Sequence, residues 1–495
     1  MSTLEKLQNG TDIRGIALDN EGFNLTLTEE AVENIAIGFS KWLYKKNKTK
    51  ISVALGKDSR LTGDLLKKSA ISGLTKMGVD VVDCNMATTP AMFMSTILDG
   101  YKVTGSIMLT ASHMPKQYNG MKFFTNQGGL EKEDLKEVIA LATGIDKEYE
   151  LGNVENKDLI SDYSNVLVEK IRQATAKERP LEGLKIIVDA GNGAGGFFAH
   201  DVLEALGADT KGSQFLDADG NFPNHIPNPE NKEAMKSISD AVIKSKADLG
   251  IIFDTDVDRA AVVDKDGREI NKNSLIAVIS AIILEEVPGT TIVTDSITSE
   301  GLKEFIESLG GKHHRFKRGY KNVINESKRL NKIGQESDLA IETSGHAAIK
   351  ENYFLDDGAY LVSKILIKLA KLNQEGKVLS SIIENFKESF EEDEFRLNIK
   401  TEDFRAYGNN ILEKFRKKAE ESEELVICSP NYEGIKVYVK NTKSWFLIRV
   451  SLHEPILVIN LETDRAGMQK NITDMLKNIL TEFSALSLRV LEEHE

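Results

Sequence analysis

The feature that most constrains this chain is a pattern of strands and helices that occurs three times. Strongly apolar strands start near Ile51, Leu184 and Thr291, and each is followed by a helix, a second strand, another helix and a third strand. This alternation predicts a parallel sheet with right-handed crossovers and helices on both faces. Strands that are apolar throughout also fit a sheet covered on both sides. We therefore predict an α/β fold of three related tandem units with mixed, mostly parallel sheets.

The predicted elements of the three units have similar spacing. The first unit is predicted to contain a helix at 29–45, a strand at 51–58, a helix at 64–77 and a strand at 79–84, before a third strand that runs into Ser112. The second unit is predicted to have strands at 184–189 and 249–253 and a helix at 197–206. The third is predicted to have strands at 291–295 and 338–341 and a helix at 300–309.

The C-terminal part follows a different plan. Beyond about residue 390 we predict a strand at 395–400, a helix at 407–421, three close strands at 434–439, 445–451 and 456–463, and a last helix at 465–488. This order predicts an α+β domain with a mainly antiparallel sheet. The acidic run at 391–394 is interpreted as a solvated linker. Because 495 residues are too many for one core, we place four domains at 1–155, 156–270, 271–388 and 389–495.

Charge and composition exclude several classes of protein. A formal net charge of −14 without a basic stripe argues against a nucleic-acid binder, although a few local cations can still bind a small anion. No apolar run approaches the roughly 20 residues that span a bilayer, and the first residues do not resemble a signal peptide. Cys84 and Cys428 lie far apart, which favours a reducing cytoplasm. We predict a cytoplasmic protein without nucleic-acid or membrane partners, of undetermined oligomeric state.

Each third strand leads into a conspicuous polar loop. These loops are 110–113, 254–259 and 342–346. Ligands of such sheets bind beyond the carboxyl ends of the strands, so three different polar loops at equivalent positions suggest one composite site. The alternative is convergent α/β patterning with unrelated loops.

The first of these loops centres on Ser112. An apolar strand ends in small residues and a serine, with turn signals at Pro115 and at Asn119-Gly120. We expect the Ser112 hydroxyl to be exposed at the sheet edge beside His113, with Lys122 ten residues further on. A serine next to a histidine suggests an activated nucleophile. The alternative is an ordinary polar loop.

The second loop carries alternating carboxylates. Asp254, Asp256 and Asp258 directly follow an apolar strand, and three carboxylates on a curled loop can converge on a hard cation such as Mg²⁺. A calcium-binding loop does not fit, because Arg259 stands at its sixth position and Lys265 at its twelfth. The alternative is an acidic surface turn.

A glycine-rich loop offers a rival interpretation. Residues 191–196 satisfy the G-x-G-x-x-G pattern between a strand and a helix, which would indicate a dinucleotide site and a dehydrogenase. The acidic residue expected about 20 positions later would be Asp209, which is poorly placed. Glycines also serve any tight strand-to-helix turn.

Three further segments carry polar groups that can bind hydroxyls or an anion. Glu342, Ser344 and His346 offer an acceptor, a hydroxyl and an imidazole for sugar hydroxyls, or else form a structural turn around Gly345. In the last domain, Arg449 can bind a phosphate with two hydrogen bonds, and Ser451, His453 and loop N–H groups can complete the cradle. The basic stretch 317–321 either helps to neutralise an anion or is a solvated loop.

With these loops in order, the chain resembles the α-D-phosphohexomutases, the family of phosphoglucomutase and phosphomannomutase. The resemblance covers essentially the whole chain and implies four domains around a central cleft. Residues 110–115 resemble the family's phosphoserine loop, 254–259 its magnesium loop, 342–346 its sugar-specificity loop and 449–455 its phosphate loop, and 219–229 resembles a further family segment.

The resemblance implies a role for each matching residue. Ser112 would carry the phosphoryl group, and Asp254, Asp256 and Asp258 would hold one Mg²⁺ per chain against it. Arg14 and Lys122 match positions near the reacting phosphoryl group, and His113 is a further candidate for general acid–base catalysis. The residues implied to bind substrate are Arg259, Glu342, Ser344, His346, Arg449, Ser451 and His453.

The implied activity is that of an isomerase that interconverts hexose 1-phosphate and hexose 6-phosphate of glucose, mannose or both. It would pass through a phosphoserine and a hexose 1,6-bisphosphate, which also acts as activator. Phosphoglucosamine mutase is the alternative, ahead of a dehydrogenase or a non-catalytic phosphosugar-binding protein. The chain departs from the family pattern at Thr255 and Val257, at Leu452-His453 in the phosphate loop, and at Tyr320, where some members have histidine.

Overall fold

The structure is a computed structural model that describes residues 4–19, 22–47, 50–145, 148–451 and 454–492. The chain divides into two compact units. Unit 1 comprises Met1–Ile282 and Ser344–Ile382, and unit 2 comprises Ile283–Thr343 and Ile383–Glu495. The chain therefore enters unit 2, returns to unit 1 and ends in unit 2.

The first sheet of unit 1 is mixed. Its strands have the order β1-β2-β6-β5-β3-β4-β8, and β7 pairs with β6. Strand β3 is parallel to β4 and β5, and β4 is parallel to β8, whereas β6 is antiparallel to β5 and β2. The elements are β1 Gln8–Asn9, β2 Asp12–Ile16, α1 Glu29–Lys46, β3 Ser52–Lys57, α2 Gly63–Lys76, β4 Asp80–Met86, α3 Thr89–Met94, β5 Gly105–Leu109, β6 Tyr118–Thr125, β7 Gly128–Gly129, α4 Lys132–Leu141 and β8 Val154–Asn156. These bounds confirm the predicted elements of this region to within a few residues.

Strand β6 is not predicted from the sequence, because Asn119-Gly120 resembles a turn. In the structure Gly120 lies inside the strand. A Cβ atom there would lie 2.2 Å from the Ile13 carbonyl oxygen and 2.6 Å from that of Thr110. The glycine therefore allows β2 and the loop after β5 to approach β6 closely, and β6 places Lys122 next to that loop.

The second sheet of unit 1 has the order β12-β11-β10-β9. Only β9 and β10 are parallel, while β11 is antiparallel to β10 and β12. The predicted middle strand of this unit is reduced to two isolated parallel bridges, Lys185 with Asp209 and Asp189 with Gln214. The elements are α5 Leu159–Thr175, β9 Ile186–Asp189, a π-helix Phe198–Leu203, α6 Lys232–Ser245, β10 Leu249–Phe253, β11 Ala260–Asp264 and β12 Glu269–Ile270.

The third α/β region begins with α7 (Lys272–Glu286) and continues in unit 2. There, β13 pairs in parallel with β14 on one side and with β15 on the other, as the sequence predicts. The elements are β13 Thr291–Thr294, α8 Glu300–Ser308, β14 Lys312–Arg315, α9 Tyr320–Lys332 and β15 Ser337–Ile341. The chain then returns to unit 1 with an antiparallel hairpin and a helix, namely β16 Ala347–Ile349, β17 Leu355–Asp356 and α10 Gly358–Gln374.

The C-terminal sheet in unit 2 is antiparallel throughout, with the order β18-β22-β21-β20-β19. Helices α11 and α12 pack on it over a core that includes Phe415, Phe446 and Ile472. The elements are β18 Glu391–Asn398, α11 Phe404–Glu421, β19 Leu425–Ile427, β20 Ile435–Val439, β21 Trp445–Val450, β22 Ile456–Thr463, α12 Met468–Leu480 and α13 Arg489–Glu492.

Two predictions for this region are wrong. The acidic run 391–394 is not a linker but the first half of β18, where Glu391 pairs with Thr463 and Glu394 with Asn460. The last helix does not continue to residue 488. After α12, the Lys400 N–H donates to the Ala485 carbonyl and the Ser487 N–H to that of Asn398, so this segment pairs with the chain beyond β18.

None of the helices in the described part of the chain has both the length and the apolarity that crossing a membrane requires. The cytoplasmic location stays a prediction.

Candidate active site

Ser112 lies just beyond β5, in a loop with a strained backbone. Its φ angle of 50° is in the left-handed region, and its N–H donates to Thr110 Oγ1 at 2.9 Å. The residue is only 3% exposed. The expectation of an exposed hydroxyl is therefore wrong, because the loop that follows β10 covers it.

The Ser112 hydroxyl lies between a carboxylate and a guanidinium. It donates to Asp254 Oδ2 at 3.1 Å, and Arg259 Nη2 donates to Ser112 Oγ at 3.2 Å. The same guanidinium nitrogen lies 3.0 Å from Asp254 Oδ2 and donates to His113 Nδ1 at 2.8 Å. Positive charge is thus fixed beside the serine oxygen before any ligand binds.

Asp254, Asp256 and Asp258 converge as the sequence predicts. Their residues are at most 2% exposed, and one oxygen from each lies within 4.8 Å of the other two. Among the residues that the structure describes, Asp256 Oδ1 and Asp258 Oδ1 have no hydrogen-bond partner. Buried carboxylate oxygens with spare lone pairs are the donor set that Mg²⁺ prefers. The residues present therefore fit a magnesium ion.

Lys122 and Arg259 supply the counter-charge of these carboxylates. Lys122 projects from β6, and its Nζ lies 3.0 Å from Asp256 Oδ2 and 2.5 Å from Asp258 Oδ2. We call the following group the serine cluster: Ser112, Lys122, Asp254, Asp256, Asp258 and Arg259.

The carboxylates of the serine cluster differ in their affinity for protons. Burial raises the pKa of Asp254, and the negative charge of Asp258 raises it further. Burial alone would also raise the pKa of Asp258, but Lys122, His346 and Arg259 together hold it below its usual range. Asp258 is therefore ionised, while the charge on Asp254 depends on nearby cations.

His113 and Arg14 flank the cluster. Burial lowers the pKa of His113 to about 2, and the charges of Arg259 and Arg14 act in the same direction, so the imidazole is neutral. Arg14 lies opposite Gly120 in the pairing of β2 with β6, on the same face as Lys122, and forms an ion pair with Asp12 at 3.1 Å. The catalytic roles of both residues stay predictions.

His346 lies near the carboxylates from another direction. Its Nδ1 hydrogen-bonds to Asp356 Oδ2 and lies 4.0 Å from Asp258 Oδ1. Burial would lower the pKa of His346, but Asp356 and Asp258 raise it to about 9. His346, Asp258 and Asp356 form a second group with metal-ligand spacing. A protonated imidazole cannot bind a metal, so the three aspartates are the better candidate site.

Ser344 and Gly345 precede His346 in the predicted sugar loop. Ser344 Oγ is buried and has no hydrogen-bond partner among the described residues. Gly345 has a φ angle of 94°, and a Cβ atom there would lie 2.9 Å from the Ala260 carbonyl oxygen, so this position requires glycine.

In unit 2, Glu342 is 5% exposed and accepts a hydrogen bond from the Gly319 N–H at 2.6 Å. Its neighbours in sequence, Ser344 and His346, belong to unit 1.

Arg449 also belongs to unit 2, where it lies near Arg318 and Glu433. Arg449 Nε lies 3.7 Å from Glu433 Oε1, and Glu433 Oε2 accepts from the Arg318 N–H at 3.0 Å. Burial lowers the pKa of Arg449, and the charge of Arg318 lowers it further. Arg318 Nε lies 3.9 Å from Asp295 Oδ2. We call Asp295, Arg318, Glu433 and Arg449 the arginine cluster.

The predicted phosphate loop is only partly described. The Ser451 N–H donates to the Ile456 carbonyl at 3.0 Å, and Ser451 Oγ accepts from the Glu454 N–H at 3.2 Å. His453 and Leu452 lie outside the described residues.

The glycine-rich loop 191–196 uses its glycines for packing. A Cβ atom at Gly196 would lie 2.1 Å from the Leu216 carbonyl oxygen, and one at Gly193 would lie 2.7 Å from that of Thr255. The loop thus supports the metal loop through close backbone contacts, including a hydrogen bond from the Ala194 N–H to Thr255 O at 2.8 Å. A dinucleotide site is not needed to explain these glycines.

Sequence reasoning missed two contributors to the site. Thr89 donates to Asp256 through its hydroxyl, and its N–H donates to the Asp256 carbonyl at 2.9 Å. Arg60 and its partner Asp58 lie below the Ser112 loop. The signal for Asp58 and Arg60 was present: they directly follow the apolar strand β3, at the same sheet edge as Ser112.

Three family models match this chain. They describe phosphoglucomutase/phosphomannomutase α/β/α domains I, II and III and match residues 5–149, 161–267 and 271–390. A phosphoglucomutase of Neisseria meningitidis is 30% identical over 476 residues, which is 95% of each chain. A phosphomannomutase/phosphoglucomutase of Pseudomonas putida is 30% identical over 430 residues, or 86% of this chain and 87% of that one.

A solved structure gives the same result. The crystal structure of a phosphoglucomutase/phosphomannomutase family protein from Burkholderia thailandensis is 26% identical and has a TM-score of 0.79. It covers 97% of this chain and 98% of its own. The chain therefore belongs to the phosphoglucomutase/phosphomannomutase family of α-D-phosphohexomutases and is a phosphohexomutase.

Proposed function

We propose that the chain interconverts hexose 1-phosphate and hexose 6-phosphate, with Ser112 as the carrier of the transferred phosphoryl group. The observation that carries this proposal is the position of Ser112 Oγ, 3.1 Å from Asp254 Oδ2 and 3.2 Å from Arg259 Nη2, beside three converging carboxylates. A plain structural serine does not require a buried cation and a metal-type cluster around its hydroxyl.

The proposed reaction has two transfers. In the first, the bond between phosphorus and Ser112 Oγ breaks as a bond forms from phosphorus to the free hydroxyl oxygen of a hexose monophosphate. That hydroxyl loses its proton and Ser112 Oγ gains one. The resulting 1,6-bisphosphate then returns its other phosphoryl group to Ser112, whose hydroxyl loses its proton, and the sugar oxygen that the phosphoryl group leaves takes up a proton. Hexose 1,6-bisphosphate is therefore also the compound that can phosphorylate a free Ser112.

Positioning and charge stabilisation account for most of the catalysis of phosphoryl transfer. Arg259 Nη2 donates to Ser112 Oγ and stabilises the negative charge that this oxygen gains as its bond to phosphorus breaks. Lys122 lies within 3.0 Å of two carboxylates and supplies a further cation at the reacting group. Arg14 is proposed to act beside Lys122.

Asp254, Asp256 and Asp258 would hold Mg²⁺. When bound, the ion supplies concentrated positive charge that polarises phosphoryl oxygens. The support for this part of the proposal is a pair of buried oxygens, Asp256 Oδ1 and Asp258 Oδ1, which have no hydrogen-bond partner among the described residues.

Proton transfer to and from the sugar hydroxyl needs a group near Ser112. His113 is neutral, and its Nδ1 already accepts a hydrogen bond from Arg259. It can therefore accept a proton only weakly and cannot act as a cationic acid. We keep His113, Arg14 and Lys122 as the candidates.

We propose substrate contacts for the remaining residues from the match to family positions. Glu342, Ser344 and His346 are proposed to bind sugar hydroxyls, and Arg449, Ser451 and His453 to bind the phosphate that does not react. Glucose or mannose phosphate is the proposed substrate, with glucosamine phosphate as the alternative. The kcat/KM values for the three sugar 1-phosphates on purified enzyme would rank them.

One assay tests the proposal. The enzyme is given glucose 1-phosphate, Mg²⁺ and a trace of glucose 1,6-bisphosphate, and glucose 6-phosphate is measured. We expect conversion by the wild type and none by Ser112→Ala. Release of inorganic phosphate in proportion to substrate loss would indicate a phosphatase instead, and binding without phosphorylation of Ser112 would indicate a non-catalytic phosphosugar-binding protein.

A further inference from the structure

A buried arginine lies beneath the Ser112 loop and contacts neither the carboxylates of the metal loop nor the serine hydroxyl. Arg60 follows β3 and is 2% exposed. Its Nη1 donates to the carbonyl oxygens of Pro115 at 3.0 Å and Tyr118 at 2.8 Å. Its Nη2 donates to the carbonyl oxygens of Met114 at 2.6 Å and Ser112. One guanidinium therefore binds four backbone carbonyls of the segment that carries the serine.

Other hydrogen bonds hold single points of this segment, such as the Ser112 N–H to Thr110 Oγ1 bond at 2.9 Å and the Ala17 N–H to Gln117 O bond at 2.9 Å. Its own turns contribute the Met114 N–H to Ala111 O bond at 3.1 Å and the Tyr118 N–H to Pro115 O bond at 3.0 Å. The backbone of Ser112 has a positive φ of 50°. Residues other than glycine rarely adopt such an angle, and it persists only when the surrounding structure enforces it. The carbonyls of the loop point inward, where the planar guanidinium of Arg60 donates hydrogen bonds to them from several N–H groups in a fixed arrangement.

Arg60 is itself held rigidly. Asp58 Oδ2 lies 3.3 Å from Arg60 Nε, an ion pair between two fully buried side chains, and Asp58 Oδ1 accepts from the Arg60 N–H at 2.9 Å. The Asp58 N–H in turn donates to the Leu109 carbonyl at 3.1 Å, at the end of the strand that leads to the serine. The Phe222 ring lies 5.5 Å from the Arg60 guanidinium. Burial raises the pKa of Asp58 to about 6, and the positive charge of Arg60 limits this rise.

We propose that Arg60 is a positioning residue for phosphoryl transfer: it fixes the carbonyl side of the Ser112 loop so that Ser112 Oγ faces Asp254 and Arg259. Arg60 acts only through the loop and takes no proton and no phosphoryl group. The inference rests on the proposed role of Ser112 as phosphoryl carrier. A misplacement of about 1 Å in reacting atoms can cost about 100-fold in rate, so loosening the loop affects the chemical step more than substrate binding.

The test is Arg60→Lys, because an ammonium keeps the charge but cannot reach four carbonyls with one nitrogen. We expect kcat to fall by about 100-fold while KM for glucose 1-phosphate stays within about threefold of wild type. We also expect the phosphoserine, followed by intact-mass spectrometry after loading with glucose 1,6-bisphosphate, to lose its phosphoryl group to water faster than in the wild type. A purely structural role would reduce the folded fraction without changing either property of the folded enzyme.

Arg172→Lys is the matched control. Arg172 also binds backbone carbonyls, those of Glu178 at 3.0 Å and Ala205 at 3.3 Å, but on a helix that does not carry the serine. We expect its variant to keep the wild-type kcat and phosphoserine lifetime. A fall in kcat as large as that of Arg60→Lys would overturn the inference, because any loss of an arginine–carbonyl contact would then suffice.

Arg60→Lys with a kcat within about threefold of wild type would also overturn it. If this variant yields no folded protein, Asp58→Asn decides, because it keeps the four carbonyl contacts and removes only the charge that holds the guanidinium. We then expect a kcat loss of about 10-fold at unchanged KM, and an unchanged kcat overturns the inference. An inactive wild type would instead contradict the proposed function.

Discussion

The serine cluster of unit 1 and the arginine cluster of unit 2 both place cations beside carboxylates, but they hold them differently. In the serine cluster, Lys122, Asp256 and Arg259 have side chains that are 7%, 0% and 1% exposed, and the side-chain hydrogen bonds within the cluster are 3.2 Å or shorter. In the arginine cluster, Arg449 and Arg318 are 17% and 25% exposed. Arg449 Nε lies 3.7 Å from Glu433 Oε1, and Arg318 lies 3.9 Å from Asp295 Oδ2 and 3.6 Å from Glu394 Oε2.

We propose that the difference reflects a division between chemistry and recognition. The serine cluster is already desolvated and paired, so its charges need little rearrangement during the reaction. Arg449 is paired loosely, because its Nε lies 3.7 Å from Glu433 Oε1 and has no hydrogen-bond partner among the described residues. A guanidinium in that state can exchange weak ion pairs for two hydrogen bonds to a phosphate. Substitutions in the first cluster should therefore change kcat, and substitutions in the second should change KM.

The strongest test of this division is Ser112→Ala. Loss of the group that carries the phosphoryl leaves no route for the first transfer, so we expect kcat to fall by at least about 10⁴-fold. The assay is conversion of glucose 1-phosphate, and intact-mass spectrometry should show no phosphorylated protein.

Ser106→Ala is the control for this substitution. Ser106 is a buried serine on β5 whose hydroxyl donates to the Met92 carbonyl at 2.6 Å. We expect this variant to keep its activity. Undiminished conversion by Ser112→Ala would remove Ser112 from the chemistry and, with it, the distinction between the two clusters.

Asp256→Asn should produce the next largest effect. The substitution removes one carboxylate of the proposed metal site and, with it, the ion pair between Lys122 and Asp256. We expect Mg²⁺ affinity to fall by about 100-fold or more, since loss of groups that only support ligands already costs 10–100-fold. Titration calorimetry with Mg²⁺ measures this directly, and the activity at saturating Mg²⁺ shows whether kcat falls as well.

Asp240→Asn is the matched control, because Asp240 is an exposed aspartate that forms an ion pair with the exposed Lys236 on its own helix. Its Mg²⁺ affinity should equal that of the wild type. An unchanged affinity in Asp256→Asn would show that the metal does not bind these carboxylates.

Arg449→Ala tests the other side of the comparison. A charge-assisted hydrogen bond contributes about 1.5–3 kcal/mol, so we expect KM for glucose 1-phosphate to rise by about 10- to 100-fold with a smaller change in kcat. Arg449→Lys keeps the charge but not the bidentate geometry and should recover part of the loss. A fall in kcat at constant KM would contradict the division between chemistry and recognition.

The same contrast explains how far the sequence alone leads. Apolar strands followed by polar residues predict the α/β plan and place Ser112 and Asp254 beyond the carboxyl ends of their strands, where ligands of such sheets bind. The two strands belong to different sheets, so the convergence of the two residues is inferred from the equivalent positions of their loops in related units. The burial of that convergence is not predictable, since it depends on close backbone approaches such as Gly120 against Ile13. The role of Arg60 was missed for a related reason: its place after β3 was visible, but contacts to four backbone carbonyls leave no residue pattern in the sequence.

Local pattern also misleads where tertiary pairing decides the outcome. The acidic run 391–394 has the composition of a linker but belongs to strand β18, because β18 pairs with β22 over eight residue pairs. Asn119-Gly120 has the composition of a turn, but the glycine serves a strand that is crowded on two sides. In both cases the deciding interaction lies far away in the sequence.

The smallest expected effect concerns the stability of unit 2 and not its activity. We expect a buried carboxyl group of this unit to make its stability depend on pH. Glu462 is 5% exposed, and burial raises its pKa to about 7. It accepts hydrogen bonds from the Glu300 N–H at 3.1 Å, from Ser389 Oγ at 3.0 Å and from Trp445 Nε1. Because the folded state binds this proton more tightly than the unfolded state, the stabilisation is complete below pH 4.5 and is lost as the pH rises to about 7.

Glu462→Gln removes this proton while keeping the shape of the side chain. We expect the free energy of unfolding of the wild type, relative to that of the variant, to fall by about 1–3 kcal/mol between pH 4.5 and pH 7. Urea unfolding at several pH values measures it, and the exposed Glu402→Gln should show no such trend. Burial also lowers the pKa of the nearby Lys436. Its contribution to the pH dependence is the same in both proteins, so the difference in unfolding free energy between wild type and variant reports Glu462 alone. A flat difference would mean that Glu462 is ionised in the folded protein, so that unit 2 holds a buried charge as tightly as the serine cluster does.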